Sequence, residues 1–185
     1  MVEVTRGGIE IDGVDIRTVG LRKLRHSMTL IPQDPLLFTG SLQDNIDPFH
    51  VLAPAVLLQT LNSVGLGHLS LASPVAEMGG NLSSGEKQLI CIARATVRST
   101  PILVMDEATS AVDQKTDALI QELTRTRFRN CTVLTIAHRL GTVLRSDRVL
   151  VMEDGQIREF AAPSDLLATP SSLFSQLARE LPGSA

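Results

Sequence analysis

Two adjacent acids, Asp106 and Glu107, stand directly after the apolar run Pro101 to Met105. A buried strand that ends in a carboxylate pair suits a magnesium–phosphate site, because one acid can hold the cation while the next orients or deprotonates a water. The alternative is structural, since acids also follow strands to cap the next helix and to favour its positive end. For the acid pair alone, both interpretations stay open.

A polar loop upstream of this run places Ser83 and Gly85 at the predicted start of a helix. Backbone N–H groups and a hydroxyl that point the same way at a helix N-terminus form an anion site, which the helix dipole favours. Taken alone, Ser83 is more typical of an N-cap, with Glu86 three residues later completing a capping box. The loop and the acid pair together favour a site that handles phosphate.

Five short motifs, in one order along nearly the whole chain, resemble those of ATP-binding cassette (ABC) proteins. They are the Q-loop around Gln33, the signature loop Leu82 to Gln88, the Walker B strand Ile102 to Glu107, the D-loop Ser110 to Asp113, and the switch histidine His138. The segment Gly40 to Phe49 is most similar to the second cassette of the C-subfamily, the multidrug-resistance-associated exporters. The resemblance implies a P-loop NTPase-like ABC ATPase core.

The resemblance also implies roles for single residues. Asp106 would help to hold magnesium, mainly through water, and Gln33 would complete the magnesium shell beside the nucleotide. Glu107 would polarise the attacking water, and His138 would contact the γ-phosphate of ATP. Catalysis would come from positioning and charge neutralisation around the transferred phosphoryl group. Taken alone, His138 is more typical of a helix-capping or satisfied core histidine.

The signature loop and the D-loop imply a second nucleotide-binding domain. In the family, Ser83, Ser84 and Gly85 would bind the ATP held by the opposite cassette of a head-to-tail dimer, and Asp113 would link the two halves. Ser84 stands where glycine is common, and Glu86 stands where glutamine is common and adds negative charge near a phosphate. Taken alone, Asp113 is typical of a turn or an N-cap. Such a cassette would work at the cytoplasmic face of a membrane, against the transmembrane domain of an exporter.

A phosphate-cradling sequence, G-x-x-x-x-G-K-[ST] after a strand, is missing from this chain. The nearest segment, Gly80 to Lys87, has Glu86 where the lysine belongs, and a carboxylate that faces phosphates repels them. The resemblance therefore implies that the first core strand and the P-loop helix are missing before residue 1. We expect such a loss to leave apolar surface exposed and strand edges unpaired.

The composition limits the remaining classes of function. The chain has 185 residues, 43% hydrophobic and 20% charged, with a net charge of −3 and no lysine- or arginine-rich block, which argues against nucleic acid as the main partner. No apolar run reaches the ~20 residues that a membrane-spanning helix needs. Cys91 and Cys131 lack metal-ligand spacing and indicate two buried thiols in a reducing compartment. Trp and Tyr are absent, so neither provides a platform for adenine.

The order of predicted elements indicates an α/β fold with a mostly parallel sheet. Alternating residues around Asp12-Gly13 predict an N-terminal antiparallel hairpin. Buried strands are predicted at 28–31, 102–105, 132–137 and 148–152, and helices at 55–64, 83–98, 116–128, from 164, and at 173–181. We divide the chain into a hairpin and Q-loop (1–39), a shortened helical subdomain (40–81), the signature, Walker B and switch region (82–160), and C-terminal helices (161–185).

Three hypotheses follow for the function. The first is the C-terminal portion of the nucleotide-binding domain of an ABC exporter, which couples ATP binding and hydrolysis to solute transport in the whole protein. The second is a cassette without a P-loop, which lends its signature loop to another cassette's ATP without catalysis. The third is a truncated product with no stable fold of its own. Magnesium and ATP would meet only in a complete site, so we do not expect the isolated chain to hydrolyse ATP.

Overall fold

The predicted hairpin is present near the start of the chain. Strands β1 (Glu10–Ile11) and β2 (Val14–Asp15) pair antiparallel, with Ile11 opposite Val14. Asp12 and Gly13 between them have positive φ angles of 50° and 75°, as a two-residue turn that follows the strand twist requires.

The structure is a computed structural model that describes residues 6–108, 112–137 and 139–180. The chain divides into two units, Met1–Leu134 and Thr135–Ala185, each with its own hydrophobic core. After the hairpin, the elements of the first unit are α1 (Leu21–His26), β3 (Met28–Ile31), β4 (Gly40–Ser41), α2 (Leu42–Ile46), α3 (Pro54–Ser63), β5 (Pro74–Val75), α4 (Ser84–Arg98), β6 (Ile102–Asp106), α5 (Gln114–Arg127) and β7 (Thr132–Ile136), whose last two residues belong to the second unit.

The parallel strands β3 and β6 position the residues of the candidate site. Met28 lies opposite Ile102 and Ile31 opposite Met105, so the two strands pair over the whole of β3. Strand β7 adjoins β6 on its other side, in the order β3–β6–β7. The predicted α/β fold with a parallel sheet is confirmed, with β6 at its centre. One face of β6 is buried, through Leu103 and Met105, and the other face is only half-buried.

Helix α4 supplies much of the core of the first unit. Ser83 caps its start, and Ser99 ends it with a left-handed backbone (φ 47°), shortly before Pro101. Each large apolar side chain that is fully buried stabilises the folded state by about 1.5–3 kcal/mol. The buried members of the cluster include Ile31, Leu89, Ile90, Ile92 and Leu103.

Helices α2 and α3 lie between β3 and α4 in the chain. Ser41 starts α2 with a capping box to Asp44, and Pro54 starts α3 at a position where its missing N–H is not needed. The short strands β4 and β5 pair antiparallel. The apolar side chains that these helices and the following turn bury include Leu42, Ile46, Leu57, Leu61, Val64 and Leu66.

The second unit contains α6 (Leu140–Val143), β8 (Val149–Glu153), β9 (Gln156–Ala161), α7 (Pro163–Ala168) and α8 (Leu173–Glu180). The turn predicted at Asp154-Gly155 is present, with φ angles of 51° and 72°. None of the helices in the described parts of the chain is long and apolar enough to cross a membrane. The hydrophobic core of this unit is formed by the buried residues Leu140, Val149, Val151, Leu166, Phe174 and Ala178.

Two strand predictions are wrong in their detail. The run 148–152 is not a buried strand of the parallel set, because β8 pairs antiparallel with β9, with Leu150 opposite Phe160. In a strand with one covered face, only every second residue has to be apolar and buried. Val149 and Val151 are these buried residues in β8. The run 132–137 is not buried either, since β7 stands at one end of the sheet order and its Leu134 is 56% exposed.

Candidate functional site

The register of β3 and β6 brings Gln33 and Glu107 to one edge of the sheet. Ile31 pairs with Met105, and Gln33 and Glu107 stand two residues further along their chains. Gln33 Nε2 donates a hydrogen bond to Glu107 Oε2 at 3.1 Å. Asp106 is the last residue of β6 and immediately precedes Glu107. Three residues predicted to serve magnesium and the attacking water therefore stand together at the carboxyl edge of the parallel pair.

The backbone of Glu107 is unusual. Its φ angle is 44°, in the left-handed region that residues with a side chain seldom adopt and that costs on the order of 1 kcal/mol or more. Strain of this kind persists where the surrounding structure demands one direction of the chain. Here it falls on the carboxylate that the motif singles out as the base, which is consistent with a functional role for that side chain.

Ser83 forms the capping box that the spacing to Glu86 predicts. Ser83 Oγ accepts from Glu86 N at 3.2 Å, while Glu86 Oε2 accepts from Ser83 N and from Ser83 Oγ, each at 2.8 Å. The backbone bond, and then the hydroxyl bond, lower the pKa of the Glu86 carboxyl. Ser83 and Ser84 are both exposed. The cap is confirmed, and the nucleotide-binding role of the loop stays a prediction.

Glu86 has a second partner on its other oxygen. His68 Nε2 lies 3.1 Å from Glu86 Oε1, and this contact further favours the ionised carboxylate. The negative charge that the sequence placed near a bound phosphate is therefore engaged by the helix cap on one oxygen and by a histidine on the other. We expect both contacts to reduce its repulsion of an approaching phosphate.

Asp113 lies beside the signature loop through Thr116. Asp113 caps α5, because its carboxylate accepts from Lys115 N and Thr116 N at 3.0 Å and from Thr116 Oγ1 at 2.7 Å. These bonds, the Thr116 hydroxyl first, lower the pKa of Asp113. A side chain at Gly85 would meet Thr116 Cγ2 and Oγ1 at 3.1 Å, so the loop approaches α5 too closely for anything larger than glycine without movement.

Part of the predicted site lies outside the described residues. The switch histidine His138 lies outside the described residues, and so do Ser110 and Ala111 of the D-loop. Within 6–108, 112–137 and 139–180, no group of three or more His, Cys, Asp or Glu residues could hold a metal ion. The predicted thiols differ from one another, since Cys91 is buried, which raises its pKa, whereas Cys131 is half-buried.

Sequence reasoning missed the polar side chains of α4 that hold the segment after β3. Gln88 donates to the carbonyl of Gln33, and Arg94 donates to the carbonyls of Leu36 and Asn45. A glutamine and an arginine on a helix are most often solvent-facing, so periodicity assigned them no role. The available signal was position, because Gln88 lies on the same helical face as the buried Ile92.

Glu86→Gln is expected to flatten the acid side of the stability curve. Because the pKa of Glu86 is lowered in the folded chain, the ionised group stabilises the fold above its unfolded pKa, about 4.3, and this stabilisation is lost as the pH falls through the folded pKa. Urea unfolding of both chains between about pH 6 and about pH 3 measures the slope. Glu77→Gln, at an exposed acid outside the cap, is the charge-matched control. Equal slopes in the original chain and in Glu86→Gln would contradict the prediction.

The fold and the site define a class before any comparison. A carboxylate pair at the carboxyl edge of parallel strands, beside a glutamine, is the arrangement of α/β domains that handle nucleoside triphosphates. A family profile described as "ABC transporter" matches residues 1–110 of the 185. The chain belongs to the ABC transporter family, whose domains bind ATP with magnesium.

Members of the C-subfamily are among the similar relatives. The chain is 45% identical to "ABC transporter C family member 3" of Dictyostelium discoideum over 97% of its length. It is 46% identical to the human "ATP-binding cassette sub-family C member 2" over 94% of its length. The chain spans only 13% and 12% of these two relatives. The C-subfamily resemblance predicted from the motifs is confirmed.

A solved structure agrees with the fold. It is described as a bacterial Atm1-family ABC exporter with ATP bound, and it superposes with a TM-score of 0.87 at 34% identity, covering 95% of this chain and 32% of that one. The ABC ATPase fold class is confirmed by this likeness. Together with the relatives, it identifies the chain as a nucleotide-binding-domain portion of the ABC exporter type.

Proposed function

We propose that this chain serves a C-subfamily exporter by coupling ATP binding and hydrolysis to the transport of a solute across a membrane. One observation carries the proposal: Gln33 and Glu107, 74 positions apart, meet at 3.1 Å on the carboxyl edge of adjacent parallel strands. This meeting depends on strand register as well as on motif order. A glutamine and a carboxylate joined at that edge support a site where a phosphate, a cation and a water are arranged for phosphoryl transfer.

The residues at this edge suit a magnesium ion. Asp106 and Glu107 offer carboxylate oxygens and Gln33 a carboxamide oxygen, and magnesium in phosphoryl-transfer sites takes one or two carboxylates together with waters and substrate phosphates. Asp106 would hold the ion mainly through water, and Gln33 would complete its shell. Bound there, magnesium supplies the charge that neutralises the phosphate oxygens.

Glu107 would act as the base for the attacking water. Its carboxylate is half-buried, and it accepts a hydrogen bond from Gln33, so its direction is set before substrate arrives. A positioned carboxylate that takes a proton in the transition state contributes a rate factor of about 10² to 10⁴. By resemblance, His138 would contact the γ-phosphate and hold the transition-state geometry.

The signature loop would serve ATP held by a second nucleotide-binding domain in a head-to-tail dimer. The exposure of Ser83 and Ser84 at the start of a fifteen-residue helix supports this role, because hydroxyls and N–H groups there favour an anion. Because Gly85 has no side chain, the loop can lie close to Thr116 of α5. Asp113 is exposed next to them, and it would link the two halves of the dimer.

The transmembrane domain of the exporter would bind the segments that follow Gln33 and α2. Phe38 is 69% exposed and Phe49 is 84% exposed, and Leu36 and Val51 nearby in the chain are also exposed. Large apolar side chains left in water favour a partner surface. A partner that lies in a membrane would place this chain at the cytoplasmic face of that membrane.

A chimeric transporter tests the proposal. In it, this chain replaces the aligned segment of the Dictyostelium relative, which supplies every other part of the protein. We expect the purified chimera to hydrolyse ATP within about tenfold of the relative's own rate, a difference of about 1.4 kcal/mol in barrier. The relative with the aligned segment deleted is the control. A folded, membrane-inserted chimera without hydrolysis would contradict the proposal.

A non-catalytic cassette is the second candidate. It is favoured by the signature loop alone, whose Ser83 and Ser84 are exposed at the start of α4. In that case the chain would contribute only Ser83, Ser84 and Gly85 to ATP held elsewhere. Hydrolysis by the chimera that depends on Ser83 but not on Glu107 would favour this second candidate over the first.

A further inference from the structure

Gln88 is a buried polar residue whose side chain the proposed chemistry does not use. It lies on α4 and is 4% exposed. Its Nε2 donates to the carbonyl of Gln33 at 2.9 Å and, more weakly, to the carbonyl of Pro32 at 3.4 Å. One amide group thus holds two successive carbonyls of the chain that leaves β3.

These bonds continue into the candidate site. The backbone of Gln33 is held by Gln88, and the side chain of Gln33 donates to Glu107 Oε2 at 3.1 Å. A carboxamide can reach a fixed carboxylate reproducibly only if its own backbone is fixed. Three residues from α4, from the segment after β3 and from the end of β6 are therefore joined in one series of hydrogen bonds.

The carbonyl oxygen of the Gln88 side chain argues against a purely stabilising role. Its Oε1 is buried and accepts no hydrogen bond from the described residues. A buried acceptor without a partner costs stability, and an apolar side chain of the same length would avoid that cost. An amide at this position is explained better by what its Nε2 end holds.

We propose that Gln88 is a positioning residue for phosphoryl transfer. It fixes the backbone of Gln33 so that the Gln33 carboxamide stays on Glu107, and it thereby connects the signature helix to the base. This inference rests on the proposed ATPase function. Gln88 itself donates to the backbone of Pro32 and Gln33, and in this proposal it does not contact the nucleotide.

The test uses Gln88→Met, which keeps the length and volume of the side chain and removes both polar ends. In the full 185-residue chain, amide exchange is measured by mass spectrometry on the peptides that cover 31–38 and 102–108. We expect exchange in both peptides to rise about tenfold, the factor that one hydrogen bond of ordinary strength sets. Thr96→Val is the control on the same helix, because among the described residues Thr96 Oγ1 donates to the carbonyl of Ile92 in its own helix, at 2.9 Å.

The chimeric transporter supplies a second readout. We expect Gln88→Met to lower its kcat for ATP by about tenfold with little change in KM, the size of effect that loss of a supporting hydrogen bond has on an active group. In a Gln33→Ala background, Gln88→Met should have no further effect, because the side chain that it positions is gone. A merely structural role would persist in that background.

Four outcomes would overturn the inference. They are unchanged exchange in Gln88→Met, complete exchange of 31–38 in the original chain, an unchanged kcat, and an equal loss with and without Gln33. Failure of the proposed function looks different, because Glu107→Gln would then also leave hydrolysis by the chimera unchanged. In that event the exchange of 102–108 alone decides whether Gln88 acts on the end of β6.

Discussion

Glu107→Gln is expected to lower ATP hydrolysis by the chimeric transporter by roughly 10² to 10⁴, the range that a positioned general base contributes. The amide keeps the size of the side chain and can still meet Gln33 if its carbonyl end turns toward Gln33 Nε2. It cannot take a proton at neutral pH. Binding of ATP, which depends on charge and shape, should remain within about threefold of the unaltered chimera.

The measurement is steady-state phosphate release together with retention of labelled nucleotide. We expect retention to rise in Glu107→Gln, because ATP enters the site but is not consumed. Glu122→Gln removes the same charge from an exposed position on α5, where the acid forms an ion pair with Arg125, and should leave both values unchanged. Turnover at the unaltered rate in Glu107→Gln would refute the assignment of the base.

Arg94→Leu is expected to have the largest effect on stability, a loss of about 3 kcal/mol in the free energy of unfolding. The guanidinium donates to the carbonyl of Asn45, to Asn45 Oδ1 at 2.9 Å and to the carbonyl of Leu36 at 2.6 Å. Asn45 in turn holds both polar backbone groups of Phe38, at 2.8 and 2.9 Å. Removing Arg94 takes the guanidinium donor from the half-buried carbonyl of Asn45 and from the carbonyl of Leu36, and it removes one of the two donors to Asn45 Oδ1.

Denaturant unfolding of the 185-residue chain measures this loss. Arg94→Lys should recover less than half of it, because an ammonium cannot reach two carbonyls and a carboxamide from one planar fork. Arg98→Leu, one turn further along α4, is the control: Arg98 is exposed and has one long bond, 3.4 Å, to the carbonyl of Arg25. Equal losses in Arg94→Leu and Arg98→Leu would show that the contacts of Arg94 add nothing to the fold.

The ends of α4 and the strand β6 could be predicted because their signals are local. Ser83, Glu86 and Pro101 bracket the helix by capping and by proline geometry, and the apolar run 102–105 has the length of a strand. The pairing of β8 could not be read in the same way. An apolar run of five residues suits either a strand covered on both faces or an antiparallel strand with one bulge, and only the partner decides.

In the candidate site, too, the features set by neighbouring residues could be predicted, and those set by strand register could not. Capping by Ser83 and Asp113 follows from spacing within a few residues, and the sequence predicts it as the structural alternative for both. The bond between Gln33 and Glu107 joins residues 74 positions apart, and their meeting depends on which residue of β3 lies opposite which residue of β6. No local sequence pattern predicts that register. The hydrogen bond from Gln88 to the Gln33 carbonyl is also a contact between residues far apart in the chain, so it could not be predicted either.

The left-handed backbone at Glu107 sets selection for stability against selection for chemistry. Glycine is the one residue that adopts a φ of 44° at no steric cost, and a single base change converts a glutamate codon into a glycine codon. In a mutant library screened only for resistance to heat, the glycine variant would therefore be enriched, although it lacks the carboxylate. A population under selection for transport would lose that same variant, so the strained glutamate marks a position where the two selections disagree.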